Sequence, residues 1–289
     1  MLSAAPPPLS DAAAAPRGVR RPPRSLKQEY EEFMLQRIEA YKNSLSRGEL
    51  LEIGDEAVRE LETNAAGQYF LTEVLLLEHV DRVIARRLRL PAFPRWRQRY
   101  RNLRISQREA AHWGLDRDAP LATLARRVEP GDTVVIVGAG ALAGALFLAA
   151  HDAEVLFLDQ NLGAIEAAES RAVSEQLAGR FHALVIQLGG WLPDVAPDLA
   201  VIDPAALAPL AGRDRSSVIT GLQMRTPPGG VHLVLPTNAN PEVIPLAAET
   251  LQTQYADWEI VRRKRARRGD GFVATKPARH IDTQANVSD

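Results

Sequence analysis

The sequence predicts an α/β protein with a doubly wound, mostly parallel seven-stranded sheet, a C-terminal antiparallel hairpin and an N-terminal α-helical unit. From Val134 onward, apolar β-branched segments alternate with helical segments, as parallel strands joined by crossover helices do. The last two apolar segments, Trp258–Arg263 and Gly271–Thr275, are separated by a basic turn instead of a helix, which predicts the hairpin. Before residue 116, apolar residues recur three and four positions apart, which predicts helices.

Composition excludes several kinds of site. The chain has 289 residues, 46% of them hydrophobic, with no cysteine and a net charge of −1. Disulfides, thiolate metal sites and cysteine nucleophiles are therefore excluded, and overall charge provides no attraction to nucleic acid or membranes. The uncharged segment Val134–Ala150 is close to the minimum length of a membrane-spanning helix, but its glycines favour a buried strand, turn and helix. We expect no membrane span and, without an apolar signal segment, a cytoplasmic location.

The chain is expected to have four parts. Residues 1–24 are rich in Ala, Pro and Arg and are expected to be a disordered tail, because they can bury little apolar surface. Residues 25–115 form the α-helical unit, residues 116–277 the sheet domain, and residues 278–289 a second tail.

Helix signals divide the α-helical unit. Ser25 is placed to cap a first helix, and Gly48 and Gly54 are expected to interrupt the helical pattern. A strongly apolar helix is predicted over Tyr69–Leu88, and a short helix over Arg95–Leu103.

Arginine is concentrated at the end of this unit. Residues 82–104 contain nine arginines and no acid, with three aromatic residues between them. The residues are Arg82, Arg86, Arg87, Arg89, Arg95, Arg97, Arg99, Arg101 and Arg104, with Phe93, Trp96 and Tyr100. Such a surface suits nucleic acid, because arginine pairs with phosphates and rings stack on bases. The simpler interpretation is that the acidic helices of residues 26–64 neutralise the arginines.

A second basic cluster, Arg262–Arg268, lies in the predicted hairpin turn. Nucleic acid is therefore one possible partner, although a small molecule is the favoured substrate. The oligomeric state is not predicted.

The segment Val134–Gly144 joins a β-branched strand to a glycine-rich turn and a helix of small residues, and a second strand ends at Asp159. Glycine at positions 138 and 140 permits a sharp turn and a close approach by a ligand. A helix N-terminus at this turn favours negative groups, and Asp159 is placed to accept hydrogen bonds from ribose hydroxyls. The pattern is of Rossmann type and predicts an adenosine-containing cofactor.

Five segments, two of them within this pattern, define a longer pattern along the domain. They are the Glu129–Asp132 turn, the Val137–Gly140 loop, the Phe157–Asp159 strand end, the Pro197–Asp203 strand and the Thr226–Val231 turn. With these segments and the terminal hairpin, residues 116–277 resemble the class I S-adenosylmethionine-dependent methyltransferases. The resemblance implies S-adenosylmethionine as cofactor and methyl transfer to an unidentified acceptor by in-line displacement.

The resemblance also implies site residues. Gly138, Ala139 and Gly140 would contact the methionine part of the cofactor, and Asp159 with Gln160 would hold the ribose. Gln187 and Leu188 would lie beside the adenine, whereas Asp203, followed by Pro204, would face the methyl acceptor and orient or deprotonate it. An equally open interpretation makes Asp203 a helix cap. No metal is expected, and His151, His182 and His232 are interpreted as structural.

The sequence departs from the family pattern at three positions. Ile136 stands where the family usually has an acid, Leu142 replaces a third glycine, and Gln187 replaces a frequent Asp. A non-catalytic relative that binds cofactor or nucleic acid is therefore one alternative. The other alternative is an NAD(P)- or FAD-binding Rossmann oxidoreductase, because Gly138-x-Gly140-x-x-Ala143 fits the dinucleotide fingerprint.

Overall fold

The computed structural model describes residues 25–64, 73–236, 248–261 and 271–278. Within it the chain divides into two compact units, one spanning Arg24–Ile105 and the other beginning at Ser106. Both predicted tails lie almost wholly outside the described residues, as do the basic cluster Arg262–Arg268 and the first part of the helix predicted from Tyr69.

The first unit contains α1 (Leu26–Ser44), α2 (Arg47–Asn64), α3 (Glu73–Arg87) and all but the last two residues of α4 (Phe93–Gln107). Its apolar core is formed where α1, α2 and α3 meet, and it contains Ile38, Ile53, Ala57, Val83 and Ile84. The burial of these side chains at helical spacing holds the unit together, since short helices gain most of their stability from packing.

Capping boxes begin the first two helices. At α1 the Ser25 hydroxyl accepts the Gln28 N–H at 3.2 Å, and the Gln28 side chain accepts the Ser25 N–H at 2.8 Å. At α2 the Glu49 carboxylate accepts the Ser46 N–H at 2.7 Å. The helix break predicted at Gly48 and Gly54 is wrong, because α2 runs through both glycines. The capping box satisfies free amide groups at the start of α2, which offsets the low helix propensity of glycine.

The second unit contains the sheet. Its helices are α5 (Pro120–Ala125), α6 (Leu142–Ala150), α7 (Leu162–Ser174), α8 (Pro204–Leu207), α9 (Gly212–Arg225) and α10 (Ala248–Gln254). Its strands are β1 (Thr133–Val137), β2 (Glu154–Asp159), β3 (Phe181–Val185), β4 (Leu199–Ile202), β5 (Val231–Val234), β6 (Glu259–Ile260) and β7 (Phe272–Thr275). This unit begins at Ser106 and includes Trp113 in its core, and the boundary at residue 115 stays a prediction.

The strands form one sheet in the order β3-β2-β1-β4-β5-β7-β6. Strands β1 to β5 are parallel, whereas β7 pairs antiparallel with both β5 and β6. The predicted fold class is confirmed: the sheet has seven strands, is mostly parallel and ends in an antiparallel pair. The turn before β1 is also as predicted, with Gly131 at φ 84° and the Asp132 N–H donating to the Glu129 carbonyl.

Helices cover both faces of the sheet. Side chains of α5, α6 and α7 form one apolar layer with Val134 and Ile136 of β1. Those of α8, α9 and α10 form the opposite layer with Val135 and Val137. Successive side chains of a strand point to opposite faces, so an uninterrupted run of apolar residues fits a strand that is buried on both sides.

Among the described residues, no helix combines the length and the apolar character needed to cross a membrane.

Candidate functional site

The candidate site lies where the carboxyl ends of β1 and β4 are adjacent. These two strands are neighbours in the centre of the sheet, and the chain connections run outward from them in opposite directions. In open parallel sheets, ligands bind in the crevice that this reversal creates at the carboxyl ends of the strands. The structure therefore brings the predicted glycine turn and Asp203 to one place.

The glycine turn has backbone geometry that requires glycine at its first position. Gly138 has φ 99° and ψ 145°, a region that L side chains rarely occupy. A single 3₁₀ turn, Ala139–Ala141, follows and leads directly into α6. Gly138 is buried, whereas Ala139 and Gly140 are exposed, so the outer side of the turn is accessible.

Both oxygens of the Asp203 carboxylate bind backbone amides. Oδ2 accepts the N–H of Gly140 at 2.9 Å, and Oδ1 accepts the N–H of Ala205 at 3.0 Å. The second hydrogen bond is an N-cap of α8, with Pro204 in the first turn as caps favour. Asp203 thus ties the glycine turn to the start of α8.

The inner side of the glycine turn is in contact with these residues. A Cβ atom added at Gly138 would lie 2.6 Å from the Ala206 Cβ and 2.8 Å from the Asp203 Cβ. At Gly140, an added Cβ would meet the Asp203 carboxylate carbon at 2.9 Å. The sequence analysis attributed both glycines to a sharp turn and to the approach of a ligand. The close packing of Asp203 and Ala206 is a further reason why glycine is required at both positions.

Asp159 ends β2 and has a different environment. Its Oδ1 accepts the N–H of Asn161 at 2.8 Å, and only 8% of its surface is exposed. Among the described residues, its Oδ2 has no hydrogen-bond partner, so one carboxylate oxygen can accept a ligand hydroxyl. Gln160 is exposed, and Asn161 caps α7 by accepting from Gly163 and Ala164.

The carboxyl end of β3 adds apolar surface next to Asp159. Val185 is paired with Asp159 in the sheet and is 49% exposed, while Leu162, the first residue of α7, is 59% exposed. Gln187 is exposed, but the Leu188 side chain is buried in the core, so only its backbone can face a ligand. The sequence analysis missed Val185 and Leu162; the available signal was an apolar residue at the end of β3 and another at the start of α7.

Ile136, which replaces the acid of the family pattern, is fully buried. Its side chain belongs to the apolar layer with Val134 and Phe157. This position therefore contributes packing energy to the sheet and has no polar group to offer a cofactor.

Trp191 lies in the β3–β4 connection, which contains no helix. Its side chain is 59% exposed and lines a cavity of about 210 Å³ with Gly189 and the α9 residues Val218 and Arg225. The Arg225 guanidinium donates to the Leu192 carbonyl at 3.5 Å, which links the connection to α9.

A larger cleft, of about 270 Å³, lies at the opposite edge of the sheet. It is lined by Arg127, Glu129, Asp198 and Gly229 among others, at the amino ends of β1, β4 and β5. Neither this cleft nor the cavity beside Trp191 is lined by the glycine turn or Asp159. We place the functional site at the carboxyl ends because the glycine turn and Asp159 lie at that edge of the sheet.

His232 is part of a buried hydrogen-bond chain. The Thr226 hydroxyl donates to the Leu222 carbonyl at 2.7 Å, so it accepts from His232 Nε2 at 2.7 Å. His232 Nδ1 then accepts from the Tyr255 hydroxyl at 2.8 Å. Burial, with a smaller contribution from the Lys276 charge, lowers the pKa of His232 to about 3. His232 is thus neutral and structural at neutral pH.

The other two histidines singled out in the sequence differ from His232. Burial is the main cause of a lowered pKa at His151, where the Arg108 charge acts in the same direction. His182 is exposed on β3. Across the described residues, no group of three or more acidic or histidine side chains is arranged to hold a metal ion.

Known proteins were compared with the chain by sequence and by structure. No known protein family matches the sequence, and no curated protein is detectably similar to it. The fold is similar to the glycopeptide N-methyltransferase MtfA, with 15% identity, a TM-score of 0.44, and coverage of 56% of this chain and 97% of that protein.

Two further structures are similar to a comparable extent. The N-methyltransferase NodS from Bradyrhizobium japonicum has 15% identity and a TM-score of 0.44, and the match covers 54% of this chain and 92% of NodS. A TehB-like S-adenosylmethionine-dependent methyltransferase from Corynebacterium glutamicum has 16% identity and a TM-score of 0.45. The match covers 63% of this chain and 97% of that protein.

Proposed function

We propose that this protein is a class I S-adenosylmethionine-dependent methyltransferase, which transfers a methyl group to its acceptor by in-line displacement. The observation that carries the proposal is the sheet order, in which antiparallel β7 lies between β5 and β6. The terminal hairpin was one of the features on which the sequence resemblance rested. A dinucleotide-binding Rossmann sheet has its sixth strand beside the fifth, in the order 3-2-1-4-5-6.

The cofactor residues follow from this proposal. Ala139 and Gly140 present an exposed backbone for the methionine part, with Gly138 shaping the turn. Asp159 binds a ribose hydroxyl through its open Oδ2, and exposed Gln160 lies next to it. The adenine lies against apolar Val185 and Leu162, with exposed Gln187 and the Leu188 backbone at its edge. A carboxylate oxygen without a partner among the described residues, next to exposed apolar surface, fits an adenosyl group.

For Asp203 we propose a positioning role in place of the predicted catalytic one. Its two oxygens are engaged by the amides of Gly140 and Ala205, so the carboxylate would have to leave both to act as a base. In-line transfer from a sulfonium depends mainly on the alignment of donor and acceptor and needs no obligatory base. Asp203 contributes by fixing the turn that aligns the cofactor.

Two alternatives predict different ligands. An NAD(P)- or FAD-dependent oxidoreductase is supported by the Gly138-x-Gly140-x-x-Ala143 spacing, but the position of β7 argues against it. A non-catalytic relative is supported by the buried apolar Ile136. The small-molecule acceptor and the cytoplasmic location expected from the sequence stay predictions.

A thermal-unfolding series with four cofactors tests the proposal. S-adenosylmethionine and S-adenosylhomocysteine are expected to raise the Tm of the wild-type protein, because a ligand that binds only the folded state stabilises it. NADH and FAD are expected to leave the Tm unchanged. The Asp159→Asn variant retains an acceptor for the Asn161 amide but lacks the negative charge. Its Tm should therefore rise much less than that of the wild type when S-adenosylmethionine or S-adenosylhomocysteine is added.

Asp257→Asn is the matched control, since Asp257 is exposed on the α10–β6 connection, and it should retain the shift. A Tm increase with NADH or FAD alone would replace the methyltransferase by the oxidoreductase. Binding of S-adenosylmethionine without methyl transfer to any acceptor in a broad panel would favour the non-catalytic relative.

A further inference from the structure

Helix α4 carries four exposed arginines that form no ion pair with the part of the chain that the structure describes. Arg95, Arg97, Arg99 and Arg101 are all exposed, and α4 has no acidic residue. Among the described residues, none of the four forms an ion pair. The Arg97 guanidinium lies over the Phe93 ring, with its Cζ 5.8 Å from the ring centroid. The arginines of α3 differ, because Arg86 and Arg87 pair with Glu60 and Glu56 of α2.

The aromatic residues of α4 are directed inward. Trp96 and Tyr100 are 2% and 6% exposed, and Trp96 packs on Tyr30 and Phe33 of α1. The predicted stacking of these rings on bases is therefore wrong. Spacings of three and four place Phe93, Trp96 and Tyr100 on one face of the helix, which is the face packed against α1.

The outer residues have an ordered arrangement. At 100° per residue, Arg95 and Arg99 fall on one flank of the helix and Arg97 and Arg101 on the other. Between the flanks, the outermost positions are Gln98, Asn102 and Ile105, and all three are exposed. The helix therefore presents two rows of guanidinium groups on either side of an uncharged strip.

We propose that α4 binds duplex DNA by lying in its major groove. A helix of 10–12 Å diameter fits a groove about 12 Å wide, and the two arginine rows then face the phosphates of the two strands. Gln98 and Asn102, whose side chains are joined by a hydrogen bond of 3.3 Å, face the base edges. Amide side chains form paired hydrogen bonds with adenine there. Exposed Ile105 provides apolar contact for a thymine methyl group.

Two other anionic partners suit this surface less well. Single-stranded nucleic acid is bound largely by stacking on aromatic side chains, and Trp96 and Tyr100 of α4 are buried. An anionic membrane is bound by helices that insert aromatic or leucine residues, whereas the outer strip has two amides and one isoleucine. All cationic residues of α4 are arginine, the side chain that recognises phosphate in a bidentate manner. The proposal does not depend on methyl transfer.

Fluorescence anisotropy with the full chain tests the proposal. The probe is a labelled DNA duplex of about two helical turns, compared with RNA duplex and single-stranded DNA of the same sequence. We expect the DNA duplex to bind most tightly, because the deep, narrow major groove of A-form RNA excludes a helix. Four phosphate contacts predict that affinity falls about 100-fold between about 50 and 200 mM salt.

The variant for the test replaces all four flank arginines: Arg95→Gln, Arg97→Gln, Arg99→Gln and Arg101→Gln. It should lose duplex binding and nearly all of the salt dependence, while far-UV circular dichroism remains unchanged. The matched control removes four exposed arginines elsewhere: Arg37→Gln, Arg117→Gln, Arg126→Gln and Arg213→Gln. It should bind DNA within about threefold of the wild type, as peripheral charges are screened by salt.

Four results would overturn the proposal. They are no binding to duplex DNA at low salt, equal binding to RNA duplex or single strands, equal losses in the flank and control variants, and binding to phosphatidylserine vesicles in place of DNA. The last result would identify a membrane surface.

Discussion

Two carboxylates at the ends of β2 and β4, the strands on either side of β1, have opposite roles in this structure. Asp203, after β4, uses both oxygens to bind backbone amides of its own chain, and it fixes the glycine turn. Asp159, after β2, uses one oxygen for the Asn161 amide and leaves the other open beside exposed Val185. An acid at a strand end is therefore available to a ligand only where the local backbone does not already saturate it. We interpret the β4 end as structural and the β2 end as the ligand-binding end.

The largest expected effect is at the glycine turn of the structural end. Gly138→Ala should reduce the free energy of unfolding by about 3–5 kcal/mol, because alanine is strained at φ 99° and its Cβ would collide with Ala206. Urea denaturation measures the change. Gly212→Ala, at a position where a Cβ meets no atom within 4 Å, is the control and should leave stability unchanged or slightly higher. Similar stability of the two variants would contradict the close packing of the turn.

A smaller loss is expected when Asp203 is truncated. Asp203→Ala removes the cap of α8 and the bond to Gly140, and we expect a loss of about 2–3 kcal/mol in chemical denaturation. Asp203→Asn retains one acceptor oxygen, and its loss of stability should be about half that of Asp203→Ala. Asp194→Ala, at an exposed loop position, should remain within about 0.5 kcal/mol of the wild type. If Asp203→Ala were as stable as that control, the structural assignment of the β4 end would be wrong.

Acid sensitivity is expected to come mainly from His232, with a contribution from His151, whose pKa is also lowered. The pKa of His232 is about 3 in the folded state and about 6.5 when unfolded, so the unfolded chain binds an extra proton between these values. Stability should therefore fall as pH decreases below about 6.5, by about 1.4 kcal/mol per pH unit. Denaturation between about pH 6.5 and 4.5, above the range of most carboxylates, isolates this effect.

His232→Gln should be less stable at neutral pH but should have a flatter pH profile in this window. His182→Gln, at an exposed position of β3, should retain the wild-type slope. A slope unchanged by His232→Gln would show that another group causes the acid sensitivity.

Much of the sheet could be predicted from local sequence. Apolar β-branched runs, the Glu129–Asp132 turn and the terminal hairpin each depend on residues close together in the chain, and all three have their expected place in the fold. The break expected at Gly48 failed because the Ser46–Glu49 capping box, also local, outweighs glycine propensity.

The environment of the site depends on distant residues and could be predicted less well. Whether Asp203 is a cap or a catalyst depends on its contact with the Gly140 amide, 63 residues away. The burial of Ile136 also depends on distant residues, because helices on one face of the sheet cover its side chain. For α4, the spacing of Phe93, Trp96 and Tyr100 by three and four residues already indicated a buried helix face. The sequence analysis considered only the arginine and aromatic content of the segment and therefore did not use this spacing.

The smallest expected effect on stability accompanies the largest expected effect on binding. Asp159→Ala should cost only about 1 kcal/mol of stability, through the lost Asn161 bond. The same change should weaken binding of S-adenosylhomocysteine by about 10- to 150-fold, since a charge-assisted hydrogen bond contributes about 1.5–3 kcal/mol.

Isothermal titration calorimetry of S-adenosylhomocysteine with wild-type protein, Asp159→Ala and Asp257→Ala is the most direct test of the ligand-binding end. We predict one-to-one binding to the wild type, an equal affinity for Asp257→Ala and at least a tenfold loss for Asp159→Ala. No heat with the wild-type protein, or equal affinities for all three proteins, would contradict the assignment of the β2 end as the cofactor site.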